Sequence, residues 1–272
     1  MLDLTVAELK GRLARADAKE LAALKRSLAA ETRKGVLSAL AAAEKRVAAQ
    51  QAQRQRLEGL FSFQAQLAEE AGASVVAGLD EVGRGPVAGP LCVAAVVLPE
   101  TIAIDEPLEA FPLHGLNDSK QVPERERERL AEQIKAVARG WAVEFVEPQF
   151  IDAHGMTAAL KTAFSRALAA LEAQGLAVDM ALLDGNPLHF DPRERNVVKG
   201  DAKCASIAAA SIVAKVARDG LMREMDERYP GYGFAGHKGY ASAEHIAAIK
   251  QKGLTPIHRA TFCQGFLQES LF

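Results

Sequence analysis

"GLDEVGRGPVAG", residues 78–89, sets two acids, Asp80 and Glu81, at the end of an apolar run and follows them with glycines. The flanking stretches, "SVVAGL" before it and "PLCVAAVVLP" after it, are β-branched, apolar and bounded by Gly and Pro. That is the pattern of two strands joined by a glycine loop. An acid at the end of a buried strand needs a reason, because an unpaired buried carboxylate is costly. Successive strand residues point to opposite faces, so Asp80 and Glu81 share one site only if the strand bends there. The glycines supply that freedom. No Gly-Lys-Ser/Thr follows them, and a strand rather than a helix comes next, which excludes the P-loop and the dinucleotide fingerprint. Gly83 and Gly85 instead let main-chain amides approach a ligand, with Arg84 in reach of a phosphate. A plain hairpin turn with an exposed arginine is the alternative.

Outward from this loop the chain alternates helix and strand. "PERERERLAEQIKAVARG" reads as a helix from near Pro123 to Gly140, "WAVEFVE" as a strand and "TAALKTAFSRALAALEAQG" as an amphipathic helix ending at Gly175. "VDMALLDG" and "RNVVKGD" are two more strands. "KCASIAAASIVAKVARDGLMREMDERY" is a long helix whose alanine-rich face implies close packing on something flat, and "SAEHIAAIKQKG" is a last helix. This order describes a mixed sheet flanked by helices. Residues 1–72 read as helix nearly throughout, a small hairpin or bundle, with possible capping boxes at Thr5-x-x-Glu8 and Asp17-x-x-Glu20. The expected division is therefore a helical extension, 1–72, and a body of mixed sheet and helices, 73–272.

Four acids fall at strand ends or a helix start: Asp80, Glu81, Asp184 in "LLDGN" and Asp201 in "KGDAK". Each of the last two has a plainer reading, Asp184-Gly185 as a turn pair and Asp201 as the N-cap of the long helix, and Asp219 reads as surface. Gathered carboxylates repel and raise one another's pKa unless a cation neutralises them. Oxygen-only ligands select magnesium or manganese, and two such ions can activate water and stabilise a leaving oxygen in phosphodiester hydrolysis.

Composition narrows the classes further. No apolar run is long enough to span a membrane, and the N-terminus lacks a signal-peptide core. Three scattered cysteines fit reduced thiols and a cytoplasmic location rather than disulfides or zinc, and the six histidines lack ligand spacing. Residues 1–72 hold 12 Lys and Arg against 9 Asp and Glu, the rest 21 against 26. An acidic body does not hold nucleic acid by bulk charge; if it binds nucleic acid, it does so with local basic residues and a metal.

"GLDEVGRGPVAGPLCVAAVVL", "LNDSKQV", "ALLDGN", "VVKGDAKCASIAAASIVAKVARD", "YPGYGFAGHKGY" and "TPIHR" occur in this order over roughly residues 73–262 and together resemble ribonuclease HII. The resemblance implies a ribonuclease-H-like α/β fold with a mixed five-stranded sheet. It implies cleavage of the RNA strand of RNA–DNA hybrids and nicking of duplex DNA 5′ of an embedded ribonucleotide, with 3′-hydroxyl and 5′-phosphate ends, as in ribonucleotide removal from DNA. Matched by motif, Asp80, Glu81, Asp184 and Asp201 would hold Mn²⁺ or Mg²⁺, two ions in the active complex, with Asp219 at most supporting. Gly83, Arg84 and Gly85 would contact the ribonucleotide, and Tyr240 would sense the RNA–DNA junction, where the 2′-hydroxyl is the distinguishing group. Lys120, Lys203, Lys238 and Arg259 would be phosphate contacts, or else surface residues. Gln268, Leu271 and Phe272 resemble a tail that docks on the replication sliding clamp, or an ordinary terminus. The segment 1–72 would help clamp the duplex, and a monomer is the default expectation. Ribonuclease HIII shares the core but carries a sheet-bearing appendage; a binding module without catalysis would have no use for the acids.

Overall fold

The computed structural model describes residues 4–100, 104 and 107–267. Three helices come first: α1 (Val6–Arg15), α2 (Ala18–Ser27) and α3 (Lys34–Ala71). Thr5 closes α1 with a full capping box, its hydroxyl accepting from the Glu8 amide and its own amide donating to the Glu8 carboxylate. At α2 only half of the expected box forms. Asp17 accepts from the Glu20 amide, but the Glu20 carboxylate turns to Arg12 at 2.7 Å.

The chain divides into two compact units, residues 1–58 with 104–110, and residues 59–103 with 111–272. The first is helical among its described residues and closes on Leu9, Leu13, Leu21, Leu24, Leu28, Val36 and Val47.

The second unit is built on a five-stranded sheet in the order β3-β2-β1-β4-β5, from β1 (Val76–Val82), β2 (Leu91–Val97), β3 (Gly140–Val146), β4 (Met180–Asp184) and β5 (Glu194–Val197). β1–β2 and β2–β3 are antiparallel; β1–β4 and β4–β5 are parallel. Helix α4 (Glu124–Val137) starts just after Pro123, and Gly140, expected to end it, is the first residue of β3. Helix α5 (Pro148–Ala173) begins earlier than the sequence pattern suggested, because Gly155, at φ 80°, joins a first turn to the long amphipathic part. α5 packs Leu160, Phe164 and Leu168 on the face of Leu79, Val93 and Ala95.

Helix α6 (Ala205–Arg228) covers the opposite face, and its alanines do lie against something flat. The approach is so close that a Cβ on Gly78 would come within 2.2 Å of the Ser206 carbonyl carbon. Short α7 (Phe234–His237) and α8 (Ala243–Lys252) follow, α8 being the last helix the sequence pattern suggests. A further helix, α9 (Ala260–Leu267), is capped by Asp152, whose carboxylate accepts from the amides of Ala260 and Thr261. No helix among the described residues is long and apolar enough to cross a membrane.

Candidate active site

The sheet opens where β1 outruns β4. The β1–β4 ladder ends at Leu79 opposite Leu183, while β1 stays paired with β2 through Asp80, Glu81 and Val82. The ladder with β2 runs unbroken past both acids, so no break in that pairing brings them together. Instead both acids lie beyond the last β1–β4 pair, and both line a cavity of about 370 Å³. Asp184, the last residue of β4, lines the same cavity.

The electrostatics are those of crowded acids. Burial pushes the Asp80 carboxyl well above its usual range, with Glu81 and Asp184 adding repulsion and a Ser211 hydrogen bond opposing it. Glu81 is raised by burial, against the pull of Arg84, whose guanidinium is 3.1 Å away. Asp201 is also raised, by burial and then by Asp184 and Asp118. Asp201 does not line the cavity. Nor does it cap α6: it sits in a 3₁₀ turn, Gly200–Ala202, and Cys204 holds the cap position. That turn is tied to the site by the Gly200 amide, which donates to Asp184 Oδ1 at 2.6 Å. Among the described residues no three acidic, histidine or cysteine side chains stand as a closed coordination set. The donors nonetheless suit a hard divalent cation, being carboxylate oxygens whose mutual repulsion a cation would relieve.

The same cavity is lined by Gly83, Arg84, Gly85, Lys120 and the half-exposed Tyr240. Gly83 needs its φ of 97°, and a Cβ there would lie 2.3 Å from Arg218 Nε. A Cβ on Gly85 would have open space, meeting only the Tyr240 ring at 3.8 Å. The two glycines thus serve different ends, one admitting a side chain behind the loop and one keeping the cavity clear.

Three expected phosphate contacts lie elsewhere. Lys203 lines a separate cavity with Met180 and Val197. Lys238 folds back on the Ala235 carbonyl, and its own carbonyl accepts from Arg218. Arg259 is fully buried and donates to the carbonyls of Gly83, Arg84 and Gly89. Gln268, Leu271 and Phe272 lie outside the described residues.

Ser119, Ser211 and Lys215 also line the cavity and were missed. Ser211 donates to Ser119 at 2.8 Å, and Lys215 reaches Asp219 at 2.8 Å. Asp219 is buried against Lys215 and Arg127 rather than on the surface. The signal was present in α6: Ser211, Lys215 and Asp219 recur at steps of four, one polar stripe on an apolar helix.

Residues 77–265 match the family model described as Ribonuclease HII, and residues 5–68 match the Ribonuclease HII N-terminal domain. A ribonuclease HII of Ruminiclostridium cellulolyticum is 43% identical over 215 residues, 79% of each chain. Among solved structures, the ribonuclease H2 of Pyrococcus horikoshii matches with a TM-score of 0.57 at 28% identity, over 71% of this chain and 97% of that one. The PCNA:RNase HII complex of Archaeoglobus fulgidus matches with a TM-score of 0.55 at 28% identity, over 72% and 98%. The helical N-terminal match also removes the ribonuclease HIII alternative, which required a sheet in that segment. By sequence, sheet order and the acids at the open strand ends, the chain belongs to the ribonuclease HII family and is a metal-dependent endoribonuclease.

Proposed function

We propose that the protein hydrolyses the RNA strand of RNA–DNA hybrids and nicks duplex DNA on the 5′ side of an embedded ribonucleotide, leaving 3′-hydroxyl and 5′-phosphate ends. The observation that carries this reading is one cavity lined by Asp80, Glu81 and Asp184 together with Gly83, Arg84, Gly85 and Tyr240. Acids for a divalent cation and a loop for a ribose thus share one cavity.

In this reading Asp80, Glu81 and Asp184 hold magnesium or manganese, two ions in the active complex, with Asp201, whose carboxyl feels the Asp184 charge, in support. Bound there, the ions would supply an activated water and stabilise the leaving oxygen. Arg84, with an exposed side chain, is free to move from Glu81 to a phosphate when substrate arrives. Lys120, on the cavity wall, contributes a second phosphate contact. Tyr240 presents its phenol beside Gly85, where a ribose and its 2′-hydroxyl would sit. The N-terminal helices would add contacts to the duplex, and Gln268, Leu271 and Phe272 would dock on a sliding clamp, as the Archaeoglobus fulgidus relative is seen to associate with PCNA.

The test is a DNA duplex carrying one ribonucleotide, incubated with Mn²⁺ or Mg²⁺ and with wild type or Asp80→Asn. Wild type should cut once, 5′ of the ribonucleotide, with a 3′-hydroxyl end, and Asp80→Asn should not. Cutting by both proteins, or by neither, would overturn the reading.

A further inference from the structure

Behind the glycine loop lie two arginines with no solvent exposure to speak of, Arg218 on α6 at 1% and Arg259 just before α9 at 0%. All their hydrogen-bonded donors go to main-chain carbonyls. Arg218 donates to Pro90 at 3.0 Å, Ala88 at 3.1 Å and Lys238 at 2.9 Å. Arg259 donates to Gly89 at 3.1 and 2.9 Å, Arg84 at 2.9 Å and Gly83 at 2.6 Å. The acids nearest to them in charge terms are committed elsewhere. Asp219 holds Lys215 and Arg127, and Asp152 caps α9. Burial therefore lowers both guanidinium pKa values, Arg259 to about 10, with the Arg218 charge adding to the Arg259 shift.

Leaving a charge buried without an acid is expensive, and a fork of five donors repays it only where carbonyls are already arranged around it. The consequence falls on the loop. With the carbonyls of residues 83, 84, 88, 89 and 90 turned toward the two guanidinium groups, the other side of the peptide chain faces away from them. The amides of Val87, Ala88 and Gly89 are used by Gly239 and Ile257. Among the described residues, those of Gly83, Arg84 and Gly85 have no protein acceptor, and these three residues line the cavity.

We propose that Arg218 and Arg259 are positioning residues for substrate discrimination. Arg259, by holding the carbonyls of Gly83 and Arg84 inward, turns the amides of Arg84 and Gly85 on the same two peptides outward as fixed donors toward a ribonucleotide, Arg218 anchors the far end of the loop at Ala88 and Pro90, and together they set the preference for ribose over deoxyribose at the cut. The inference rests on the proposed function above. It does not require either arginine to touch nucleic acid. A rigid donor array is what allows a site to reject the analogue lacking its hydroxyl.

The test compares wild type, Arg259→Lys and Arg218→Lys, each checked for folding by thermal denaturation. Lysine keeps the charge and loses the fork. The readout is the ratio of affinities for a duplex with one ribonucleotide and for the same duplex in DNA alone, in Ca²⁺ so that turnover does not intervene. A ratio does not depend on the folded fraction, so lost stability alone leaves it unchanged. The expected result is a drop of roughly tenfold or more in that ratio, with affinity for the DNA duplex within about twofold of wild type. A folded Arg259→Lys and Arg218→Lys with the wild-type ratio would overturn the inference and leave the proposed function standing. A wild type that itself shows no preference would overturn the proposed function, and the inference with it. Where a variant does not fold, hydrogen exchange on wild type decides. Slow exchange at both arginine Nε–H groups with fast exchange at amides 84 and 85, slowed by the ribonucleotide duplex and not by the DNA duplex, supports the inference. Solvent-rate exchange at the arginines, or no difference between duplexes, contradicts it.

Discussion

On one side of the cavity Asp80, Glu81 and Asp184 stand together as like charges; on the other, Arg218 and Arg259 lie buried behind the glycine loop. The two sides meet the cost of gathered charge in opposite ways. The arginines are matched permanently by main-chain carbonyls, so that side is rigid and complete in the protein alone. The acids are left with raised pKa values and only partial compensation from Ser211 and Arg84, so that side is finished by something that binds. Rigidity suits recognition of a sugar, and incomplete neutralisation suits capture of a divalent cation.

The sharpest break of this comparison is Asp184→Asn. It keeps an oxygen to accept from the Gly200 amide, so the fold should survive, while cleavage should fall by on the order of a thousandfold. Single-turnover cleavage with circular dichroism alongside checks both halves. On the other side Gly83→Ala should act through structure. It forces an L-residue to φ 97° and puts a Cβ on Arg218, costing roughly 1–3 kcal/mol in urea denaturation and loosening the loop.

A smaller effect comes from the props of Tyr240. His258 sits in a bridge with Ala88 and contacts His245 Nε2 at 3.1 Å, and His245 Nδ1 meets the Tyr240 carbonyl at 2.8 Å. Burial holds His258 down to about 4, and His245 is lowered as well. A histidine with a folded pKa below its unfolded value binds fewer protons folded than unfolded. Its contribution is complete above about 6.5 and is lost as pH falls toward about 4. Thermal midpoints should therefore decline across that window, and His258→Gln should flatten the decline.

The acid side was legible in the sequence because Asp80, Glu81 and Asp184 lie at or near the ends of apolar strands, where burial makes a carboxylate conspicuous. The five strands and α6 were legible for the same reason of pattern: β-branched runs, and alanines at a flat contact. What the pattern could not carry was convergence in space. Arg218 reads as one more charge on α6, and Arg259 as a basic residue suited to phosphate; only folding brings both beneath carbonyls of residues 83–90. The start of α5 was hidden by Gly155, and α9 lacks a local cap because Asp152 supplies it from more than a hundred residues away.

The most direct measurement is the thermal midpoint at neutral pH, with and without Mn²⁺, for wild type and Asp80→Asn. An acid whose folded pKa is raised is stabilising only below its unfolded pKa and costs stability once pH rises through the folded value, so metal-free wild type should melt below the variant. Manganese should then raise the wild type by several degrees and leave Asp80→Asn nearly unmoved. A variant that melts lower than metal-free wild type, or that gains as much from manganese, would contradict the account.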